Sequence, residues 1–136
     1  MRRRHATGLL LAVVIAAIVV LLPQSADSVV RAPRRMLSTQ SVSAFKVWAR
    51  NHVGAGQFPS LNKIWMRESG WNRYARNPSS GAYGIPQALP ARKLGQAGGD
   101  WAWNGYTQMR WGLRYIRSHY GSPANAWHFW QTHHWY

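Results

Sequence analysis

No cysteine occurs in the 136-residue chain, which excludes disulfides, thiolate catalysis, cysteine-bound zinc and a lipid-modified cysteine. Acidic residues are almost as scarce. Asp27, Glu68 and Asp100 stand alone against seventeen Lys and Arg, so any chemistry that needs a carboxylate has to use one of them. A long apolar stretch is missing too. The main run, residues 8–22, falls short of the roughly 20 apolar residues of a membrane-spanning helix. There is no internal repeat, no phosphate-cradling glycine loop, no Ser-His-Asp order and no convincing strand pattern.

What the N-terminus does contain is an export pattern. Arg2, Arg3 and Arg4 precede the apolar run, and Pro23, Ser25 and Ala26 follow it, as in a secretory signal. Gln24 occupies the position where a small residue favours cleavage, so two readings stand. Residues 1–26 are either a cleaved signal peptide or a signal anchor held in the membrane through residues 8–22. Both place the rest outside the cytoplasm, secreted or at the cell wall. Residues 27–43 carry Arg31, Pro33, Arg34 and Arg35 without an apolar period and read as a basic linker. Residues 44–136 are the expected folded domain.

A net charge of +14 draws a protein to polyanions. In an exported chain these are anionic wall polymers and acidic lipids rather than a specific nucleic acid. Solubility alone is the plainer reading of the same charge. With no disulfide available, stability must come from packing. Nine tryptophans between Trp48 and Trp135 supply the material, each able to bury roughly 150–250 Å².

Four helical segments are expected, giving a mainly α fold. The first, around Val42 to Val53, is weakly patterned. The second opens after Pro59 with Ser60 as N-cap and stops at Gly70. A turn-rich loop, with room for a small hairpin, follows to Pro90. The third helix runs from about Tyr106 to Tyr120, with Met109, Leu113, Ile116 and Tyr120 at helical spacing and Gly121 as its stop. Ser122 and Pro123 start a fourth, which reaches Trp130.

Glu68 stands out on this map. It lies three, four and seven residues beyond Trp65, Ile64 and Leu61, on the apolar face of the second helix, at the end beside the loop. Burial disfavours the charged carboxylate and raises its pKa. A carboxyl still protonated near neutral pH suits a general acid that donates to a glycosidic oxygen. A structural ion pair with Arg67 or Arg73 is the alternative.

The surrounding residues carry a resemblance. Glu68-Ser69-Gly70-Trp71-Asn72, then Ser79-Ser80-Gly81-Ala82-Tyr83-Gly84-Ile85-Pro86-Gln87, then Leu89-Pro90, resemble the lytic transglycosylase SLT-type domain. That family belongs to the lysozyme-like superfamily and is related to goose-type lysozyme. Downstream, Gln108 to Ile116, with Gly112 inside, is similar to the family's glycine-containing helix. The likeness runs from about Phe45 to Trp130. It implies a lysozyme-like fold with a glycine-rich loop beside the catalytic helix. It also implies Glu68 as catalytic residue and substrate-binding positions at Ser69, Tyr83, Gly84, Ile85, Gln87 and Trp127. Two positions depart from the family pattern: Pro86 replaces its methionine, and His128 follows Trp127 where it has asparagine.

The implied activity is cleavage of the bond between N-acetylmuramic acid and N-acetylglucosamine in peptidoglycan glycan strands. A 1,6-anhydro product forms, no cofactor or metal is used, and a monomer suffices. A muramidase on the same fold and a non-catalytic cationic wall-binding module are the rivals. The muramidase would need a second carboxyl, and Asp100 is the one at hand. Helix capping is the simpler role for Asp100. Arg110, Arg114 and Arg117 share one face of the third helix, either as a solvated face or as contacts for stem-peptide carboxylates. Trp71 joins Trp127 as a candidate for stacking on sugar. The His133-His134 pair lacks a neighbouring carboxylate and does not read as a metal site.

Overall fold

The computed structural model describes residues 40–136; the signal segment and most of the basic linker lie outside them. Packing reaches back to Gln40, ahead of the expected boundary at 44. The Gln40 carbonyl accepts from Arg73, and its amide oxygen accepts from the Gly105 N–H. Helix α1, Val42–Val53, starts on Ser41, whose hydroxyl accepts from the Ala44 N–H. It buries Phe45 and Ala49, one turn apart on one face.

Helix α2, Phe58–Ser69, begins three residues earlier than the sequence suggests. Gln57 precedes it with no side-chain cap, and Pro59 sits inside the first turn, where a missing N–H costs nothing. The freed Gln57 side chain accepts instead from the Ala124 N–H. The other end is as expected: Gly70 takes the left-handed conformation (φ 60°) and its N–H bonds the Met66 carbonyl.

The loop from 70 to 90 folds on itself through turns. Its pairing amounts to isolated bridges, Arg76 with Tyr83 and Tyr83 with Ala88, so the small hairpin is reduced to a tight reversal. Asn77 organises the tip, its side-chain oxygen accepting from the Ser79 and Ser80 N–H groups. A short 3-10 helix, Ala91–Ala97, then buries Leu94.

Helix α3, Gly105–Tyr120, is the central element, burying Met109, Leu113 and Ile116. Gly112 lets it press against two neighbours. A Cβ there would come within 2.9 Å of both Pro86 and Trp65. Helix α4, Pro123–His133, is capped by Ser122 and runs one turn past Trp130. It packs mainly on α2. The core gathers Phe45, Leu61, Ile64, Trp65, Trp71, Ile85, Met109 and Ile116. The described residues are thus mainly α. None of their helices is long and apolar enough to cross a membrane.

Candidate functional site

Glu68 occupies the last turn of α2 and is half-buried. Trp130 of α4 donates its indole N–H to Glu68 Oε1 across 2.9 Å. Burial pushes the Glu68 pKa above its ordinary value, and the Trp130 bond partly offsets that rise. An indole N–H can only donate, so Oε1 is the accepting oxygen and an acidic proton belongs on Oε2. The bond orients the carboxyl and leaves Oε2 as the oxygen that would carry a proton.

The loop is clamped to α2 from several directions. The Ser69 hydroxyl lies 2.8 Å from the Ile85 carbonyl and 3.2 Å from that of Trp65. It therefore ties helix to loop instead of reaching toward Glu68. Tyr136 supplies a second clamp: its hydroxyl accepts from Trp65 Nε1 (2.9 Å) and donates to the Pro86 carbonyl (3.0 Å). Burial, and then the nearby charge of Glu68, raise this phenol well above its ordinary pKa, so it stays a neutral donor. Gln108 is the third. Its amide oxygen accepts from the Ile85 N–H, and its nitrogen donates to the Arg73 and Trp101 carbonyls.

These clamps assign the remaining expected residues. Ile85 is fully buried with both backbone groups engaged, so it shapes the wall from behind. Gly84, at φ 78°, leaves no room for a Cβ, which would lie 2.6 Å from Gln108 Oε1. Gln87 donates its amide to the Ala75 and Gly84 carbonyls and pins the turn. The Tyr83 hydroxyl donates to the Ala102 carbonyl while its ring meets Trp101 edge-on. The structure thus gathers Ser69, Gly84, Ile85 and Gln87 into one hydrogen-bonded loop tied to the end of α2 that carries Glu68.

The tryptophans divide differently from expectation. Trp71 is fully buried and bonds Asn62 through its indole N–H, so it is core and not a stacking surface. Trp127 is half-buried and lies parallel to Trp130, centroids 5.4 Å apart. Its ring already carries Arg67 at 4.8 Å and Lys63 at 5.5 Å.

Asp100 backs the start of α3. Its oxygens accept from Thr107 Oγ1 (2.7 Å) and Asn104 Nδ2 (2.6 Å). Asn104 itself is the N-cap, accepting from the Tyr106 N–H. Asp100 was expected to cap the short turn that follows it. Its carbonyl accepts from the Trp103 and Asn104 N–H groups of that turn, while its side chain orients Asn104, the cap of α3. The Thr107 and Asn104 bonds lower its pKa, so it is an ordinary ionised carboxylate. Arg110, Arg114 and Arg117 are also committed, donating to Thr107 Oγ1 and to the Gln96 and His52 carbonyls respectively.

A depression of about 90 Å³ is lined by Pro86, Gln87, Leu89, Lys93, Trp111, Tyr115 and Tyr136. Ligand pockets usually span roughly 300–1,000 Å³, and Glu68 is outside this lining, so it is not the acid's own pocket. His133 bonds within its helix and His134 is a left-handed C-cap. Among the described residues no three His, Cys, Asp or Glu side chains converge on a point.

Sequence reasoning missed Trp130, Tyr136 and Gln108 as site residues. Trp130 had a signal, since it follows Trp127 by three and shares its helix face. Compared with protein-family models, curated proteins and solved structures, the chain matches none of them.

Proposed function

We propose that this chain is an exported peptidoglycan lytic transglycosylase with a lysozyme-like, SLT-type fold, in which Glu68 serves first as acid and then as base. The observation that carries the reading is a single oriented carboxyl with a raised pKa, beside a braced loop. The other carboxylate of the domain, Asp100, is spent on the start of α3.

The chemistry follows from one carboxyl. Glu68 Oε2 gives its proton to the bridging oxygen as the bond to the muramic C1 breaks, and N-acetylglucosamine leaves as an alcohol. The substrate's N-acetyl group stabilises the positive charge at C1. The resulting carboxylate then takes the proton of the muramic 6-hydroxyl, whose oxygen closes on C1. The product is a 1,6-anhydro ring, Glu68 is protonated again, and no water is consumed. Two-carboxylate hydrolysis needs a partner roughly 5–9.5 Å from the acid, and Asp100 with its oxygens engaged is poorly suited to it. A purely binding role leaves the desolvated Glu68 without a purpose.

The test is digestion of purified sacculi by the exported domain, followed as loss of turbidity. Glu68→Gln keeps the side-chain shape and should lower the rate by about 10²–10⁴-fold, the usual worth of general acid–base catalysis. An unimpaired Glu68→Gln enzyme, or a wild type without activity on sacculi, would overturn the reading.

A further inference from the structure

Beside Glu68 sits a cationic group that the steps above leave unused. Lys63 and Arg67 are exposed and one turn apart on α2. The Arg67 guanidinium lies over two parallel indoles, 4.8 Å from Trp127 and 5.2 Å from Trp130, and Lys63 Nζ lies 5.5 Å from Trp127. Such cation–aromatic contacts hold a long side chain in place without consuming its N–H donors. The hydrogen bond Arg67 makes is a long one, 3.5 Å to the Lys63 carbonyl, and one such bond engages a small part of a five-donor fork. Arg110, Arg114 and Arg117 likewise each donate once to a protein oxygen; what sets Arg67 apart is its seat over two indoles.

Trp130 connects this group to the acid. Its N–H holds Glu68 Oε1 while its ring face carries Arg67. A fixed, donor-rich guanidinium with a second cation one turn away is built for a carboxylate. The same cations cover Trp127, the ring expected to stack on sugar, so this surface presents charge where a bare π-face was anticipated.

We propose that Arg67 and Lys63, mounted on Trp127 and Trp130, form a subsite for a carboxylate carried by the muramic residue being cleaved. This rests on the transglycosylase reading for the identity of the sugar, but not for the carboxylate preference itself. The carboxylate is either the lactyl group of a bare strand or that of an attached stem peptide. Substrates of both kinds separate these sources.

The decisive experiment measures binding apart from turnover. In the Glu68→Gln protein, the indole N–H resonances of Trp127 and Trp130 are followed by NMR during titration with a N-acetylglucosaminyl-N-acetylmuramic acid disaccharide. Its lactyl methyl amide and the corresponding disaccharide-peptide are titrated alongside. The acid should bind about 10–100-fold more tightly than the amide, the range for one charge-assisted hydrogen bond. Adding Arg67→Gln should abolish that preference, Arg67→Lys should restore part of it, and Lys63→Gln should reduce it less. A preference confined to the disaccharide-peptide assigns the subsite to the stem. Equal response to acid and amide, including no response to either, overturns the subsite even if sacculi are cleaved. Discrimination that survives in a wild type unable to cleave sacculi would keep the subsite and discard the transglycosylase.

Discussion

Trp130 and Glu68, 62 residues apart, meet through a 2.9 Å hydrogen bond that joins α4 to the last turn of α2. The bond favours the charged carboxylate, against the larger opposing effect of burial. Trp130→Phe removes the donor and keeps an aromatic ring beneath Arg67. The Glu68 pKa should then rise further. Glu68 must be protonated to act as acid, so the alkaline limb of the kcat/KM profile should move to higher pH. The optimum rate should fall by roughly tenfold, as one oriented hydrogen bond worth about 1–1.5 kcal/mol is lost. A profile displaced to lower pH would mean that Trp130 does not act on this carboxyl.

Stability should depend on pH with opposite signs at the two carboxyls. The folded-state pKa of Glu68 is raised, so the native state binds its proton more tightly than the unfolded chain does. The contribution is favourable at low pH and is lost as pH rises from the ordinary carboxylate range through the raised value. Glu68→Gln removes this dependence, and at pH 7 the variant should melt no lower than wild type. Thermal denaturation from pH 4 to 8 checks it. A variant that loses several degrees at pH 7 would show that the charged form of Glu68 is structurally required.

Asp100 behaves in the opposite way. Its pKa is lowered by Thr107 and then by Asn104, so its stabilisation is present above the ordinary Asp value and fades as pH falls through the depressed one. Asp100→Asn presents an amide nitrogen to one of two donors. A loss of about 1 kcal/mol lowers Tm by roughly 4–8 °C in a domain of this size. Activity below the new Tm should stay within a few-fold of wild type, as turnover on sacculi will show.

Gly84→Ala tests the wall of the site. The residue has φ 78°, and a Cβ would lie 2.6 Å from Gln108 Oε1. The left-handed conformation costs a non-glycine residue about 1–2 kcal/mol, and overpacking adds about 1–3. Both terms have the same sign, so urea denaturation should register a loss of at least about 2 kcal/mol. Little change would mean that the loop yields without disturbing Gln108.

The helical frame was legible wherever a backbone requirement selects the residue. Gly70 and Gly121 end helices because both adopt positive φ, and Ser122 with Pro123 opens one because a cap and a proline suit a first turn. Glu68 could be placed because its spacing from Leu61, Ile64 and Trp65 is local. The start of α2 was misjudged because a proline tolerated in the first turn looked like a boundary. Trp71 was misread because a tryptophan at φ 63° after a glycine cap carries no period that announces burial. Tyr136 clamps Trp65 across 71 residues, and no local pattern encodes such a pairing. The arginines of α3 read as a solvated face, and all three are exposed. The bonds of Arg114 and Arg117 to the Gln96 and His52 carbonyls were not legible, because those partners come from elements distant in the chain.

The most direct test of a single-carboxylate mechanism is the mass of the product released from purified peptidoglycan in water enriched with heavy oxygen. Ring closure by the muramic 6-hydroxyl predicts muropeptides ending in 1,6-anhydromuramic acid, one water lighter than hydrolysis products and free of the label. Reducing ends that carry the heavy oxygen, together with an Asp100→Asn enzyme as inactive as Glu68→Gln, would contradict it and identify a two-carboxylate hydrolase.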